Sequence, residues 1–318
     1  MARTRERGWP PTPEPLPVAV VDNHTHLETV VGWVAEGWHG PDEGATDTGD
    51  PPGLAAHLDR AAAVGVTRMV QVGCDLEAVA WTDAVVRDQP RLLGAVAIHP
   101  NEAVLHAGVH EVAPDGLDPD PQARHDAPLD EALARVAAVA LANPRIRAIG
   151  ETGLDHFRAG PRGREVQREA FRAHVALAKE LGLALQIHDR DAHDEVVDVL
   201  ARDGAPDRTV FHCFSGDAAL AALAAERGWF CSFAGPLSFP ANEALRAAAR
   251  ALPAELLLVE TDAPYLTVHP HRGRPNAPYL LPGTVRALAA ARGADLAELC
   301  ATIDRTSQQV YGAWDDGL

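Results

Sequence analysis

The sequence predicts a closed (β/α)8 barrel, and three observations carry that reading. Strand-like apolar segments alternate with helical patterns eight times along 318 residues. The strand segments are apolar almost without interruption, as parallel strands covered on both faces by helices are. Side chains able to do chemistry fall at the C-terminal ends of those segments, which is where barrels of this kind build their active sites. A doubly wound open sheet is the second choice.

Taken in order, Val18–Val21 is an apolar strand that runs into Asp22-Asn23-His24-Thr25-His26. The period of two in a strand points His24 and His26 to one side. Residues 32–52, rich in Gly, Pro and Asp, read as a loop. Leu54 to Val64 has helical periodicity and stops at Gly65, and Thr67–Gly73 is the second strand. A helix over about 76–88 precedes the third strand, Leu92–Ile98, which ends at His99-Pro100. Residues 101–127 carry Pro114, Gly116, Pro119 and Pro121 and read as a long irregular insertion.

Asp130 to Asn143 is alanine-rich and helical, and Ile146–Gly150 forms strand four and delivers Glu151. A helix over about 164–181 places Phe171, Val175, Ala178 and Leu181 on one stripe before stopping at Gly182. Leu183–Ile187 delivers His188, and after a helix over about 192–202, Thr209–Phe211 delivers His212. Helices over about 217–227 and 241–251 flank Trp229–Phe233, and Leu256–Val259 delivers Glu260 and Asp262. Helices over about 284–292 and 295–311 close the chain. The expected organisation is an extended, proline-rich tail over 1–17 and one barrel domain over 18–314.

Composition narrows the partners. With 28 Lys+Arg against 45 Asp+Glu the formal charge is −17, which repels nucleic acid and anionic membranes at long range. Any phosphate substrate must therefore be held locally, by metal or by clustered arginine. Cys74, Cys213, Cys231 and Cys300 form no C-x-x-C pair, so reduced thiols in a cytoplasm are expected. The N-terminal segment has no apolar h-region, and no apolar run approaches the ~20 residues of a membrane span.

Collected by strand, the polar set is His24, His26, His99, Glu151, His188, His212 and Asp262. Neutral imidazoles, one carboxylate able to bridge and one able both to ligate and to take a proton are what a two-metal hydrolytic site requires. The expected assignment gives His24, His26 and Asp262 to one ion, His188 and His212 to the other, and Glu151 to both. Imidazole-rich ligation favours Zn or Mn and phosphodiester chemistry often uses Mg, so metal identity is open at this point.

Six motifs then resemble one family in order: Asp22-Asn-His-Thr-His-Leu27, Ala97-Ile-His-Pro100, Ala148 through Arg158, Ile187-His-Asp-Arg-Asp-Ala-His193, Phe211-His-Cys-Phe-Ser-Gly216 and Glu260-Thr-Asp-Ala-Pro-Tyr-Leu266. Together they are similar to the TatD family of metal-dependent deoxyribonucleases, within the amidohydrolase superfamily. The resemblance implies a TIM barrel of the metal-dependent hydrolase type and 3′-5′ exonuclease activity on DNA, with single strands or 3′ ends as substrate. It also implies catalytic importance for His99, Glu151 and Asp262. Asp262 would take the proton of the attacking water, while His99 orients the phosphate or protonates the leaving group. The chain departs from the family pattern at Thr152 and His156, where an aliphatic residue and Tyr are frequent, so the specificity of the rim is an open question.

An arginine cluster, Arg158, Arg162, Arg164, Arg168 and Arg172, follows strand four, and Arg272 and Arg274 follow strand eight. These, with Arg190, are the expected phosphate-binding rim, Arg158, Arg190 and Arg272 being the named candidates. Asp189, Asp191 and His193 are candidates to support His188, Asn276 and Tyr265 to line the pocket, and Cys213 reads as a packing residue. Two rival readings keep the fold. One changes the bond hydrolysed, to an aminoacyl-tRNA ester, a lactone or an amide; the other is a non-catalytic barrel with a structural metal.

Overall fold

A computed structural model describes residues 8–35 and 53–314. Its sheet has eight parallel strands in the order of the sequence: β1 (Val20–Thr25), β2 (Val66–Gly73), β3 (Leu92–Val96), β4 (Ile146–Asp155), β5 (Ala184–Arg190), β6 (Thr209–Phe211), β7 (Phe230–Phe233) and β8 (Leu257–Val259). The barrel closes between its first and last strands. Thr25 bridges Ala263, the His26 amide donates to the Ala263 carbonyl at 2.8 Å, and the Asp262 amide donates to the His24 carbonyl at 3.0 Å. The (β/α)8 architecture expected from the alternation is therefore the one present.

The helical layer comprises α1 (Leu27–Ala35), α2 (Leu54–Ala63), α3 (Leu76–Asp88), α4 (Pro100–His106), α5 (Leu129–Ala142), α6 (Pro161–Leu181), α7 (His193–Asp203), α8 (Ala218–Arg227), α9 (Glu243–Ala251), α10 (Leu281–Arg292) and α11 (Leu296–Tyr311). Local chemistry sets many of their ends. Asp75, Asp217 and Asp295 cap α3, α8 and α11 by accepting from two backbone amides each, and α6, α8 and α10 stop at left-handed Gly182, Gly228 and Gly293.

Two cores result. The larger lies between strands and helices, with Phe171, Phe211, Phe233 and Leu58 fully buried in it. The smaller fills the barrel with modest side chains such as Val21, Ala95, Ala148, Ala184 and Val210, and is sealed by Tyr311 and Trp314. The seal sits at the N-terminal ends of the strands, because Arg145 and Arg208, just before β4 and β6, bond the Trp314 and Val310 carbonyls. The opposite mouth is left for function.

Three expectations shift. Helix α1 runs to Ala35, so residues 32–35 of the expected loop are helical, and 36–52 lie outside the described residues, as do residues 1–7 of the tail. The apolar stretch after His26 continues as a helix because Leu27 and Val30 pack into the core. Residues 8–17 form no helix or strand, but Trp9 and Leu16 are buried, the Leu16 amide donates to the Val64 carbonyl, and Arg274 and Tyr279 donate to carbonyls of Gly8–Pro10. The segment over 101–127 is less irregular than its prolines imply. It starts inside α4, and a 3-10 turn at Ala123–Asp126 is tied back to Glu102 by Arg124 at 2.7 Å and His125 at 2.8 Å.

Candidate metal centre

The barrel geometry delivers the histidines and carboxylates to the C-terminal mouth by three local devices. The register of β1 slips between Asp22 and Thr25, and that of β4 slips between Ile149 and Thr152, so His24 and Glu151 each sit at an irregularity. Such bulges turn a side chain out of strand alternation and into a site. β4 runs on to Asp155 and pairs Gly153 with His188, which leaves Glu151 and His188 inside strands and not beyond their ends, as the sequence had implied. The close approach demands glycine: a Cβ on Gly153, at φ 149°, would lie 2.0 Å from the His188 carbonyl oxygen. His99 follows β3 as the N-cap of α4 and accepts the Asn101 amide at Nδ1.

Glu151 stands at the middle of the cluster, and its two oxygens face different partners. Oε2 lies 3.6 Å from His24 Nε2 and 3.9 Å from His26 Nε2, and both of those nitrogens are within 3.8 Å of Asp262 Oδ1. Oε1 lies 2.5 Å from His188 Nδ1 and 2.7 Å from His212 Nε2. The two groups read from the sequence, His24, His26 and Asp262 against His188 and His212, thus fall on opposite oxygens of one carboxylate.

The imidazole tautomers are set from behind. His26 Nδ1 is 3.0 Å from the Val72 carbonyl, which can only accept, so its hydrogen is on Nδ1. His24 Nδ1 faces Gln186 Oε1 at 3.1 Å, an oxygen fixed because the Gln186 amide nitrogen donates to the Asn23 carbonyl and the Tyr311 hydroxyl. Two bare Nε2 lone pairs are left facing each other at 3.2 Å, an arrangement that a cation stabilises and a neutral pair cannot. His212 Nδ1 meets the fully buried Glu260 at 3.0 Å, and His188 Nε2 lies 3.4 Å from Asp155. Both therefore turn their other nitrogen on Glu151. This donor set fits divalent metal ions.

Charge in the cluster tells the same story. Burial opposes ionisation of Glu151, but His212, His188 and His99 outweigh it and hold the carboxyl well below its usual range. Burial also opposes charging of His26 and His188, yet neighbouring carboxylates, Asp262 and Glu28 for the first and Glu151 and Asp155 for the second, raise each to about 9. His24 moves the other way, lowered by burial and by His212. Concentrated negative charge thus calls for cations, which metal ions can supply as well as protons.

His99 differs from the other imidazoles. Its Nδ1 lone pair is taken by the Asn101 amide, so the neutral ring presents Nε2–H toward Glu151 Oε1, 3.7 Å away. A hydrogen-bond donor in that position suits contact with a phosphate or leaving oxygen and not a ligand.

A cavity of about 700 Å3 opens above the cluster, lined by His26, His99, Glu151, His188, His212 and Asp262 among others. The arginine rim is smaller than expected. Arg164 donates to the Ala159 and His156 carbonyls, and Arg168 and Arg172 pair with Glu195 and Asp203, because those positions on α6 face α7 and not the mouth. Arg272 stacks on Phe239 at 4.4 Å and is not among the lining side chains, and Arg274 clamps the N-terminal segment. Arg158 and Arg190 do line the cavity. Thr152 bonds His174 and His156 faces Glu195, so neither departure from the family pattern touches the mouth. Asp189 pairs with His193 and not with His188; Asn276 holds the 261–265 loop by bonding the Thr261 and Tyr265 carbonyls. The Cys213 thiol lines the cavity but is pushed well above its ordinary pKa, by burial first and then by Asp262, so it is no nucleophile.

Sequence reasoning missed Gln186, Asp155 and the Val72 carbonyl, and named Glu260 without a role. The available signal was spacing: Gln186 and Glu260 each stand two residues before a site residue, on the same side of the chain.

The fold and this cluster define a metal-dependent hydrolase on an amidohydrolase-type barrel. The family model described as TatD related DNase matches residues 21–312. A Mycobacterium tuberculosis protein named uncharacterized metal-dependent hydrolase TatD is 40% identical over 297 residues, covering 92% of this chain and 98% of its own. The Escherichia fergusonii protein named 3′-5′ ssDNA/RNA exonuclease TatD is 30% identical over 268 residues, covering 80% and 91%. Among solved structures, the Escherichia coli TatD homolog YJJV superposes with a TM-score of 0.73 at 24% identity, covering 92% of this chain and 98% of that one. The chain belongs to the TatD family. Among the described residues no helix is long and apolar enough to cross a membrane.

Proposed function

We propose that the protein hydrolyses phosphodiester bonds at the 3′ end of single-stranded DNA, using two divalent ions. His24, His26 and Asp262 would hold one, His188 and His212 the other, with Glu151 between them. The observation that carries the reading is the division of the imidazoles between the two oxygens of Glu151, each ring turned inward by an acceptor at its back. The relative named as an exonuclease of single-stranded DNA and RNA supports the choice of substrate. Bound ions supply Lewis acidity, lowering the pKa of water and offsetting charge on the phosphoryl oxygens.

The protein side chains do the rest. Asp262, whose Oδ1 faces the His24–His26 pair, accepts the proton of the water that attacks phosphorus. As the bond from phosphorus to the leaving O3′ breaks, His99 hydrogen-bonds that oxygen through its Nε2–H and steadies the charge developing there, and solvent water supplies the proton. Gln186, the Val72 carbonyl, Glu260 and Asp155 keep the four ligand rings in one tautomer, so no reorganisation is needed during the reaction.

The test is chelator-treated protein reconstituted with Mg, Mn or Zn and given single-stranded DNA labelled at either end. Mononucleotide release from the 3′ end with one of the metals is the expected result. Intact DNA alongside hydrolysis of a lactone or an aminoacyl ester would overturn the assignment.

A further inference from the structure

The metal centre accounts for the phosphate and leaves the bases without a receptor. Charge is a poor candidate for that role. Only Arg158 and Arg190 reach the cavity among its described lining residues; Arg158 is paired with Asp115 at 3.3 Å, while Glu28, Asp75, Glu102, Asp155 and Asp189 line the same space. Apolar faces are better placed. Tyr265 is 51% exposed and Leu266 is 40% exposed, both in the cavity wall, and Phe157, 38% exposed, lies 4.0 Å beneath the guanidinium of Arg190.

These groups are held rigidly. The Tyr265 amide donates to the Asp262 carbonyl at 2.8 Å, its carbonyl accepts from Asn276 at 2.6 Å, and its ring meets His26 edge to face at 6.0 Å. Leu266 has φ 55°, and its carbonyl packs so closely on Gly235 that a Cβ there would lie 1.9 Å away. A leucine kept both exposed and in left-handed backbone, at the lip of a site, is strain that the fold maintains for a contact. Arg190 is followed by Asp191 at φ 56°, so the second platform is shaped in the same way.

We propose that Tyr265 with Leu266, and the Arg190–Phe157 stack, are receptors for unpaired nucleobases on either side of the scissile phosphate. The inference rests on the nuclease reading above and adds specificity-determining residues to it. Aromatic rings and guanidinium planes accept any base by its π face, without sequence preference, and a base inside a duplex cannot present that face. Strand selection in this acidic protein then comes from stacking and not from backbone charge. With at most two phosphates neutralised by arginine, affinity should fall with salt at a log–log slope of about −1.4 or shallower.

The test uses metal-loaded, full-length protein with two oligomers of equal length, oligothymidylate and its abasic tetrahydrofuran analogue. Wild type should show a KM roughly tenfold lower for the base-bearing oligomer. Tyr265→Leu and Phe157→Leu, both at exposed positions that leave the core intact, should close that gap, and Tyr265→Phe should keep it. Equal KM values for the two oligomers in wild type, or a gap unmoved by both Leu variants, would overturn the stacking receptors alone. Failure of wild type to cleave either oligomer would overturn the nuclease reading, and the receptors with it.

Discussion

Replacing Gln186 by Met keeps the volume of a buried side chain and removes every hydrogen bond it makes. Three are lost: the acceptor for His24 Nδ1 at 3.1 Å and the donors to the Asn23 carbonyl at 2.9 Å and the Tyr311 hydroxyl at 2.8 Å. At about 1 kcal/mol each, the fold should lose roughly 3 kcal/mol. The metal should suffer separately, because His24 is then free to rotate or to change tautomer. Loss of an outer partner of this kind weakens binding by about 10–100-fold, or about 1.4–2.7 kcal/mol. Tyr311→Phe separates the two effects. It removes the hydroxyl and leaves Gln186 on His24, so it should cost about 1 kcal/mol of stability and leave metal affinity within about twofold. Calorimetric metal titration and denaturant melts on both variants give the four numbers needed. A folded Gln186→Met protein that binds metal as tightly as wild type would refute the idea that Gln186 fixes the His24 tautomer.

Asp262→Asn should retain the fold, since Asn tolerates the left-handed backbone at φ 53°, and should lose at least about a hundredfold in turnover on single-stranded DNA; retention of more than a few per cent would contradict its role as proton acceptor. Gly153→Ala should destabilise by about 3 kcal/mol or more, or fail to fold, because its Cβ would meet the His188 carbonyl; a wild-type melting temperature would show that β4 and β5 can part at no cost. His174 is held at about 4, chiefly by burial, and its Nε2 accepts the Ile98 amide. Its folded pKa lies below the unfolded value of about 6.5, so the unfolded chain binds the extra proton. The associated stability is complete above pH 6.5 and is lost as pH falls toward 4, at up to about 1.4 kcal/mol per unit. Denaturant midpoints of wild type and His174→Gln across that range should converge as pH falls; parallel curves would exclude the contribution.

The barrel and the residues at its mouth were legible because two strong signals coincided. Apolar strand segments recur with helical spacers, and His24, His26, His188, His212 and Asp262 each fall at or near a segment end. What was not legible depends on contacts that spacing does not encode. Glu260 and Gln186 act through rings delivered by other strands, so their roles appear only once β1, β5, β6 and β8 are set side by side. The arginine cluster misled for the converse reason. Arg168 and Arg172 are near Glu151 in sequence, but helix α6 descends the outside of the barrel and carries them onto α7. Residues 101–127 read as irregular because their prolines are visible, whereas the Glu102–Arg124–His125 network that orders them joins side chains more than twenty positions apart.

The seam between β1 and β8 has a consequence for how the protein is made. Of the two backbone bonds that shut the barrel, one joins Asp262 to His24 and the other joins His26 to Ala263, residues more than two hundred positions apart. A ribosome-bound chain lacking its last strand therefore has neither a closed barrel nor the Asp262 carboxylate, however well the first seven strands have formed. An ion bound there would act as a clasp over more than two hundred residues of sequence, resisting the opening of the one joint that local contacts cannot secure. Hydrolytic competence then waits for the eighth strand, and a product truncated before it would lack the complete centre.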